Sequence, residues 1–331
     1  MSDVYKKFSP DLYEAVYMVD EEQDGMRLDQ YCSTFLVSFS RQQIKKKIKD
    51  GEIKIFNRPY PHKASVKVYH REKIQVKTPR GTLEDEYWLG EKISLKLKPD
   101  IIYENENLLV ISKPAFMATH PTGKHLFNCA TVFLEDLYKQ TIYSIHRLDR
   151  ETSGVLLMAK TSQMAKNCTE LFEKNKVSKA YFFIAHQKSL EDFPFIASER
   201  LGNDQSYTPR NFNHCYQQDS NLGKSAETHF EKLHHEGAYV LGLAFPKTGR
   251  QHQIRAHAAY HGYPLLGDKL YNGDPTVFMR FKDLLATAED HNLMQIPRHA
   301  LHAIALKVNF NASKSQLFQD EIPFDLKAWI K

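Results

Sequence analysis

The sequence predicts an α+β protein in two modules, a small basic unit of helices and short strands followed by a larger body built on a mixed, mostly antiparallel sheet. Three observations carry this. Residues 41–80 hold 13 Lys or Arg against 3 Asp or Glu, a local balance of +10 in a chain of net charge +5. Helical apolar repeats precede short alternating runs within residues 18–77. From about residue 99, strand-length apolar runs alternate with loops and occasional helices. The 331-residue length fits about two domains.

In the first module, Leu28, Tyr31, Cys32, Phe35 and Leu36 fall on one helical face. Ser40 then suits the N-cap of a second helix that turns Ile44 and Ile48 inward and stops at Gly51. That leaves Lys45, Lys46, Lys47 and Lys49 pointing mostly outward, a surface suited to a phosphate backbone or simply a solvated lysine-rich face. "EIKIFN" and "KASVKVYHREKIQV" alternate as short strands. Residues 78–98 mix Pro, Gly and acidic residues without sustained periodicity and are predicted as the linker, so 99–331 form the second domain.

In the second module "NLLVISKP", "VLLMAK", "KAYFFIA" and "YVLGLAFP" read as strands. Met164, Cys168, Leu171 and Phe172 mark an amphipathic helix with Ser162 near its N-cap, and "RQHQIRAHAAYHG" reads as another ending at Gly262. The four cysteines show neither CxxC nor metal-ligand spacing, which indicates a reducing compartment. The acidic amino terminus lacks a signal-like apolar core and no run is long enough to cross a bilayer, so a cytoplasmic protein is expected.

The segment "HRLDRETSG", residues 146–154, sets Asp149 between Arg147 and Arg150 in a loop feeding a buried strand. A guanidinium packed beside it would lower its pKa and leave a carboxylate able to act as nucleophile or base. Alternatively, Asp149 accepts backbone N–H bonds in its own turn, helped by Thr152 and Ser153. Lys113 ends a strand, Lys179 and Tyr181 open another, and residues 246–271 are dense in anion-binding groups, with His252 and Arg255 sharing a helix face. Each has a plainer use: Tyr181 as a strand aromatic, Arg255 as a surface ion pair. A metal on His252, His257 and His261 is disfavoured because no acidic ligand lies in register. A phosphate-binding metabolic enzyme would need a glycine-rich P-loop or dinucleotide fingerprint, and "GKS" at 223–225 lacks the rest of a P-loop.

Arg27–Asp29 (RLD), Ser40, Arg41, Ile48, Gly51, Ile53 and Asn57 resemble the S4 RNA-binding domain, with Arg71 and Glu72 where that family usually has Gly-Asp. "HRLDRETSG", "SKAYFFIA", "GKSAET", "KTGRQHQIRAHAAYHGYPLLGDKLY" and "ALHA" resemble, in order and spacing, the motifs of RluA-type pseudouridine synthases over about residues 100–310. That resemblance implies a pseudouridine synthase fold and an isomerase that breaks the N1–C1′ bond of uridine and joins C5 to C1′, with no atom lost, no redox change and no cofactor.

The resemblance further implies catalytic roles for Asp149, Tyr181 and Arg255: the reacting carboxylate, a ring stacked on the base and placed to help remove the C5 proton, and the cation paired with Asp149. Arg147 would support the position vacated by a flipped nucleotide. Lys113, Lys179 and Arg250 would contact phosphate or support the cleft, and Arg41, Lys45, Lys46 and Lys47 would bind RNA from the first module. Phe116 stands where the family favours glycine. The partner expected is RNA, ribosomal RNA ahead of transfer RNA, with residues 202–224 bearing on that choice, and a monomer is the default. The alternative is a noncatalytic RNA-binding assembly factor, which would be expected to lose part of the Asp149, Tyr181, Arg255 set.

Overall fold

The computed structural model describes residues 2–36, 39–81, 84–122, 125–189, 192–204, 206–207, 209, 211–311 and 315–330. They form two compact units, one of residues 1–85 with 120–140, the other of 86–119 with 141–331.

The first unit contains β1 (Ser2–Phe8), β2 (Leu12–Met18), α1 (Leu28–Ser33), α2 (Arg41–Lys49), β3 (Ile53–Ile55), β4 (Lys73–Pro79) and α3 (Ala130–Tyr138). Its sheet runs β1-β2-β4-β3, antiparallel throughout. Leu28, Tyr31, Ile44 and Ile48 pack on this sheet, as the helical spacing requires. Ser40 caps α2 in a reciprocal box with Gln43. Gly51 takes φ +78°, the left-handed stop favouring glycine. Arg71 occupies the same left-handed region at φ +67°. β1 and β2 were not anticipated, and residues 120–140, expected in the second domain, pack with this unit. Within it the Glu84 carboxylate accepts the backbone N–H groups of Leu126, Phe127 and Asn128 ahead of α3.

The second unit contains β5 (Tyr87–Trp88), β6 (Glu91–Lys92), β7 (Asp100–Glu104), β8 (Leu108–Lys113), β9 (Tyr143–Ser144), β10 (Ser153–Ala159), α4 (Ser162–Glu173), β11 (Val177–His186), β12 (Phe195–Ala197), β13 (Arg200–Asn203), β14 (Asn213–Tyr216), β15 (Thr228–Glu236), β16 (Tyr239–Pro246), α5 (Gln253–Tyr260), α6 (Thr276–Lys282), α7 (Ala288–Met294), β17 (Leu301–Asn309), β18 (Ser315–Gln319) and α8 (Phe324–Lys327). Its main sheet runs β12-β15-β16-β11-β17-β10-β8-β7, with β18 on β17 and β9 on β10. All pairs are antiparallel except the short β10–β17 contact. α4 lays Met164, Cys168, Leu171 and Phe172 over Val155 and Leu157, and Thr161 rather than Ser162 caps it.

At the β10–β17 contact Gly154 sits at φ +112°, and a Cβ there would lie 2.3 Å from the Ala303 carbonyl oxygen. Gly154→Ala is therefore expected to cost about 2–5 kcal/mol from strain plus overlap, read as a lower urea midpoint at unchanged slope. Residues 202–224 overlap a hairpin in which β13 pairs with β14, and Leu201 of β13 exchanges backbone hydrogen bonds with Lys224. Positions 205, 208 and 210 lie outside the described residues.

Candidate active site

The loop entering β10 is fixed by groups that the apolar pattern does not reveal. His146 Nε2 accepts the Leu157 N–H at 3.0 Å while its ring stacks on Phe172. Burial lowers His146 to about 3, which keeps it an acceptor. Thr119 Oγ1 both accepts from the Leu148 N–H and donates to the Leu148 carbonyl. Thr152 Oγ1 lies 2.7 Å from His299 Nε2 and Ser153 Oγ 2.9 Å from His302 Nδ1, so neither hydroxyl serves the Asp149 carboxylate. The arginines beside Asp149 do not serve it either. Arg150 pairs with Glu86 at 2.6 Å and Glu151 at 3.5 Å, and Arg147 extends, exposed, along the wall of a cleft.

That cleft, about 620 Å³, is lined by Arg147, Asp149, Lys179, Tyr181, Arg250, His252 and Arg255 among others. Arg255, on α5, is buried and divided between two carboxylates. Its Nε and Nη2 donate to the two oxygens of Asp268 at 2.7 and 2.8 Å, and its Nη1 donates to Asp149 Oδ2 at 2.9 Å. Asp268 is itself held by the backbone N–H groups of Leu270 and Tyr271. The fork geometry of a guanidinium is what allows one side chain to be anchored on one side and present a proton on the other. Burial alone would raise the Asp149 carboxyl, but the charges of His252, Arg255 and His299 and the Arg255 hydrogen bond outweigh it and hold the group well below the usual carboxylate range. Burial keeps His252 at about 4, so at neutral pH Arg255 supplies the lasting positive charge on Oδ2. Among the described residues no side chain donates to Asp149 Oδ1.

Tyr181, on β11, is nearly buried, and burial together with the Asp149 charge raises its phenol above the usual range, so it stays un-ionised near neutrality. Lys179 donates to the Thr248 carbonyl at 2.8 Å, and burial lowers it to about 8. Arg250 is exposed, donates to the Ser225 carbonyl, and is shared with a smaller polar pocket lined by Asn203, Asn213 and Lys224. Lys113 is placed differently. It is wholly buried, its Nζ donating to the carbonyls of Pro114, Met117 and Arg150, so of the two roles expected for it only support of the cleft fits this geometry. Phe116 takes φ +64° in that turn, is buried under the Arg150 guanidinium at 5.6 Å, and stays out of the cleft lining. His257 and His261 turn to Thr228 and Glu199, away from any shared centre with His252.

In the first unit Asp29 is buried and joins Arg27 at 3.0 Å to Arg41 at 3.2 Å, leaving both guanidinium groups partly exposed. Lys45 and Lys46 are exposed, while Lys47 pairs with Glu52 and lies over the Phe39 ring. Sequence reasoning missed Arg27 as a partner of Arg41. It also missed Asp268 and Tyr271, although both lie in the segment it singled out as rich in anion-binding groups.

Residues 107–260 match the family described as RNA pseudouridylate synthase. The ribosomal large subunit pseudouridine synthase D of Blochmanniella floridana is 30% identical over 303 residues, covering 88% of this chain and 89% of that protein. The chain belongs to the RluA-type pseudouridine synthase family. A pseudouridine synthase of this kind is an isomerase acting on RNA. The synthase is also 34% identical over 178 residues to the mitochondrial tRNA pseudouridine(32) synthase of Saccharomyces cerevisiae, covering 53% of this chain and 37% of that one. Its fold is shared with human RNA pseudouridylate synthase domain containing 1, at a TM-score of 0.56 and 21% identity over 71% of this chain and 89% of that chain. Among the described residues no helix is long and apolar enough to cross a membrane.

Proposed function

We propose that this synthase isomerises uridine in large-subunit ribosomal RNA with Asp149 as the reacting carboxylate, acting as a cytoplasmic monomer. The observation that carries the reading is the buried Arg255, anchored by Asp268 and turned onto one oxygen of Asp149 at a nucleotide-sized cleft. The ribosomal substrate is favoured because a relative named for it aligns along most of both chains, whereas the match to the yeast transfer-RNA enzyme covers about half of this one.

The target base must leave its stack to reach the cleft. Arg147, exposed on the wall, supports the vacated position, and the Tyr181 ring stacks on the uracil. Asp149 Oδ1 attacks C1′, or takes a ribose proton, as the N1–C1′ bond breaks. The uracil, released as its anion, then turns, C5 bonds to C1′ as the Asp149–C1′ bond breaks or the ribose proton is returned, and the C5 proton leaves while N1 takes one up. An un-ionised Tyr181 suits stacking and hydrogen bonding in that step better than unaided proton removal. A glycosidase needs a second carboxylate to activate water. Here the neighbouring acids are committed, Asp268 to Arg255 and Glu151 to Lys269 and His299.

Residues 18–77 serve in this reading as an S4-like RNA-binding module, with Arg27 and Arg41 set by Asp29 and α2 presenting Lys45 and Lys46. Replacing Lys45, Lys46 and Lys47 together by Ala is expected to weaken RNA binding and reduce the slope of log K against log salt by about 2, since Lys47 is already paired. An unchanged slope would remove α2 from the RNA contact. For the substrate itself, cells lacking the synthase should lose pseudouridine at large-subunit ribosomal positions, detected as missing carbodiimide-dependent reverse-transcription stops. Loss confined to transfer RNA would replace the ribosomal assignment.

A further inference from the structure

His252 begins α5 in the left-handed region, at φ +56° and ψ +17°, a conformation that costs a histidine backbone strain. Its carbonyl still accepts the Ala256 N–H, so the helix is kept while the ring is turned into the cleft. There Nε2 lies 3.9 Å from Asp149 Oδ2, and Nδ1 lies 3.3 Å from the Tyr271 hydroxyl. The same hydroxyl accepts the backbone N–H of Asn213, at the start of β14, at 2.9 Å. With one lone pair taken, the phenol's own proton can be directed at His252 Nδ1. The opposite assignment would put two donors on the phenol oxygen and aim a bare Nε2 lone pair at an anionic carboxylate oxygen. The Nε2–H tautomer lets the phenol donate to Nδ1 and faces an N–H, not a lone pair, toward Asp149.

We propose that His252 is a positioning residue: fixed as the Nε2–H tautomer by Tyr271, it turns its N–H on the same Asp149 oxygen that Arg255 holds, and so assigns the reaction to Oδ1. This rests on the reading of Asp149 as the reacting carboxylate. Two donors of different kinds then converge on Oδ2, one permanently charged and close, one neutral and 3.9 Å away. Such distances shorten when substrate closes a site and expels water. A carboxylate held at one oxygen by a single donor can still swing about that bond. The second donor removes the swing, and the cost is the left-handed backbone at His252. Asn213 and Tyr271 thereby connect the start of β14 to His252.

Two substitutions separate this role from a merely structural one. Asn tolerates the left-handed conformation but is too short to place a donor where Nε2 stands, whereas Gln carries its amide at about that position. His252→Asn is expected to fold, to lower kcat about 10-fold, and to leave KM for RNA within about twofold, while His252→Gln recovers part of the loss. Equal kcat in the two variants, or a loss that appears in KM instead, would overturn the proposal. Independently of turnover, long-range ¹H–¹⁵N correlation on histidine-labelled protein reads the tautomer directly, with the His252 signals assigned by their absence in His252→Gln. The Nε2–H pattern is expected in wild type, and the Nδ1–H pattern would overturn the proposal. A wild-type protein that isomerises no uridine would instead defeat the functional reading, leaving the tautomer result to stand by itself.

Discussion

Asp149→Asn should reduce turnover by about 10⁴-fold or more while changing RNA affinity by no more than about threefold. The amide keeps the shape of the side chain and removes both the nucleophilic charge and the capacity to take a proton. Arg255 stays in place, because two of its three side-chain hydrogen bonds to carboxylates go to Asp268 and only one to Asp149. The cleft wall is therefore preserved, and a thermal midpoint within a few degrees of wild type is expected. Equilibrium binding of the target RNA beside single-turnover kinetics checks both halves. Residual turnover within about 10-fold of wild type would remove Asp149 from the centre of the mechanism.

Asp268→Asn should be the more damaging change for the fold. It leaves a buried guanidinium with one ionic partner and sets an amide NH2 against the Arg255 Nε–H that Oδ2 accepted, a combination expected to cost about 3–5 kcal/mol. Turnover should also fall by about 10²-fold, since Arg255 loses the anchor that aims it at Asp149. The pH dependence has a defined sign. Burial alone would raise the Asp268 carboxyl, but the Arg255 charge and hydrogen bonds outweigh it and lower its pKa in the folded protein. The stability it contributes is then fully present above the unfolded value of 3.8 and is lost as pH falls through the lower folded value. Urea unfolding of wild type and Asp268→Asn should differ by a constant amount between pH 5 and 7, and the gap should narrow below about pH 4. A gap that widened in acid would contradict the assignment of Asp268 as the ionised anchor.

Local structure was legible where side-chain periodicity decides it. Met164, Cys168, Leu171 and Phe172 define the buried face of α4, and Ser40 and Gly51 bracket α2, because spacing and caps act within a few residues. The strands β1 and β2 were not legible, since β2 becomes a strand by pairing with β4, some sixty residues on, and its segment is framed by acidic residues. The candidate site shows the same division. Asp149 stands out because a charged loop runs directly into a fully buried strand. Its flanking arginines were misleading neighbours, because Arg150 satisfies Glu86 and Glu151 instead. Asp268 was hidden for the opposite reason: in sequence it is a lone acid in a turn, and only folding brings Arg255 onto it. Lys113, expected to contact phosphate or support the cleft, has its ammonium taken by two carbonyls of the turn after β8, Pro114 and Met117, and by that of Arg150 in the loop before β10, contacts that only folding brings together.

The central claim, an isomerisation driven by one ionised carboxylate, is tested most directly by tritium release from large-subunit ribosomal RNA labelled at uridine C5. With wild type, tritium should appear in solvent in step with pseudouridine, one for each base converted, and Asp149→Asn at saturating RNA should release none above background. Release by the variant at a rate near wild type, or release by wild type without pseudouridine formed, would contradict the account.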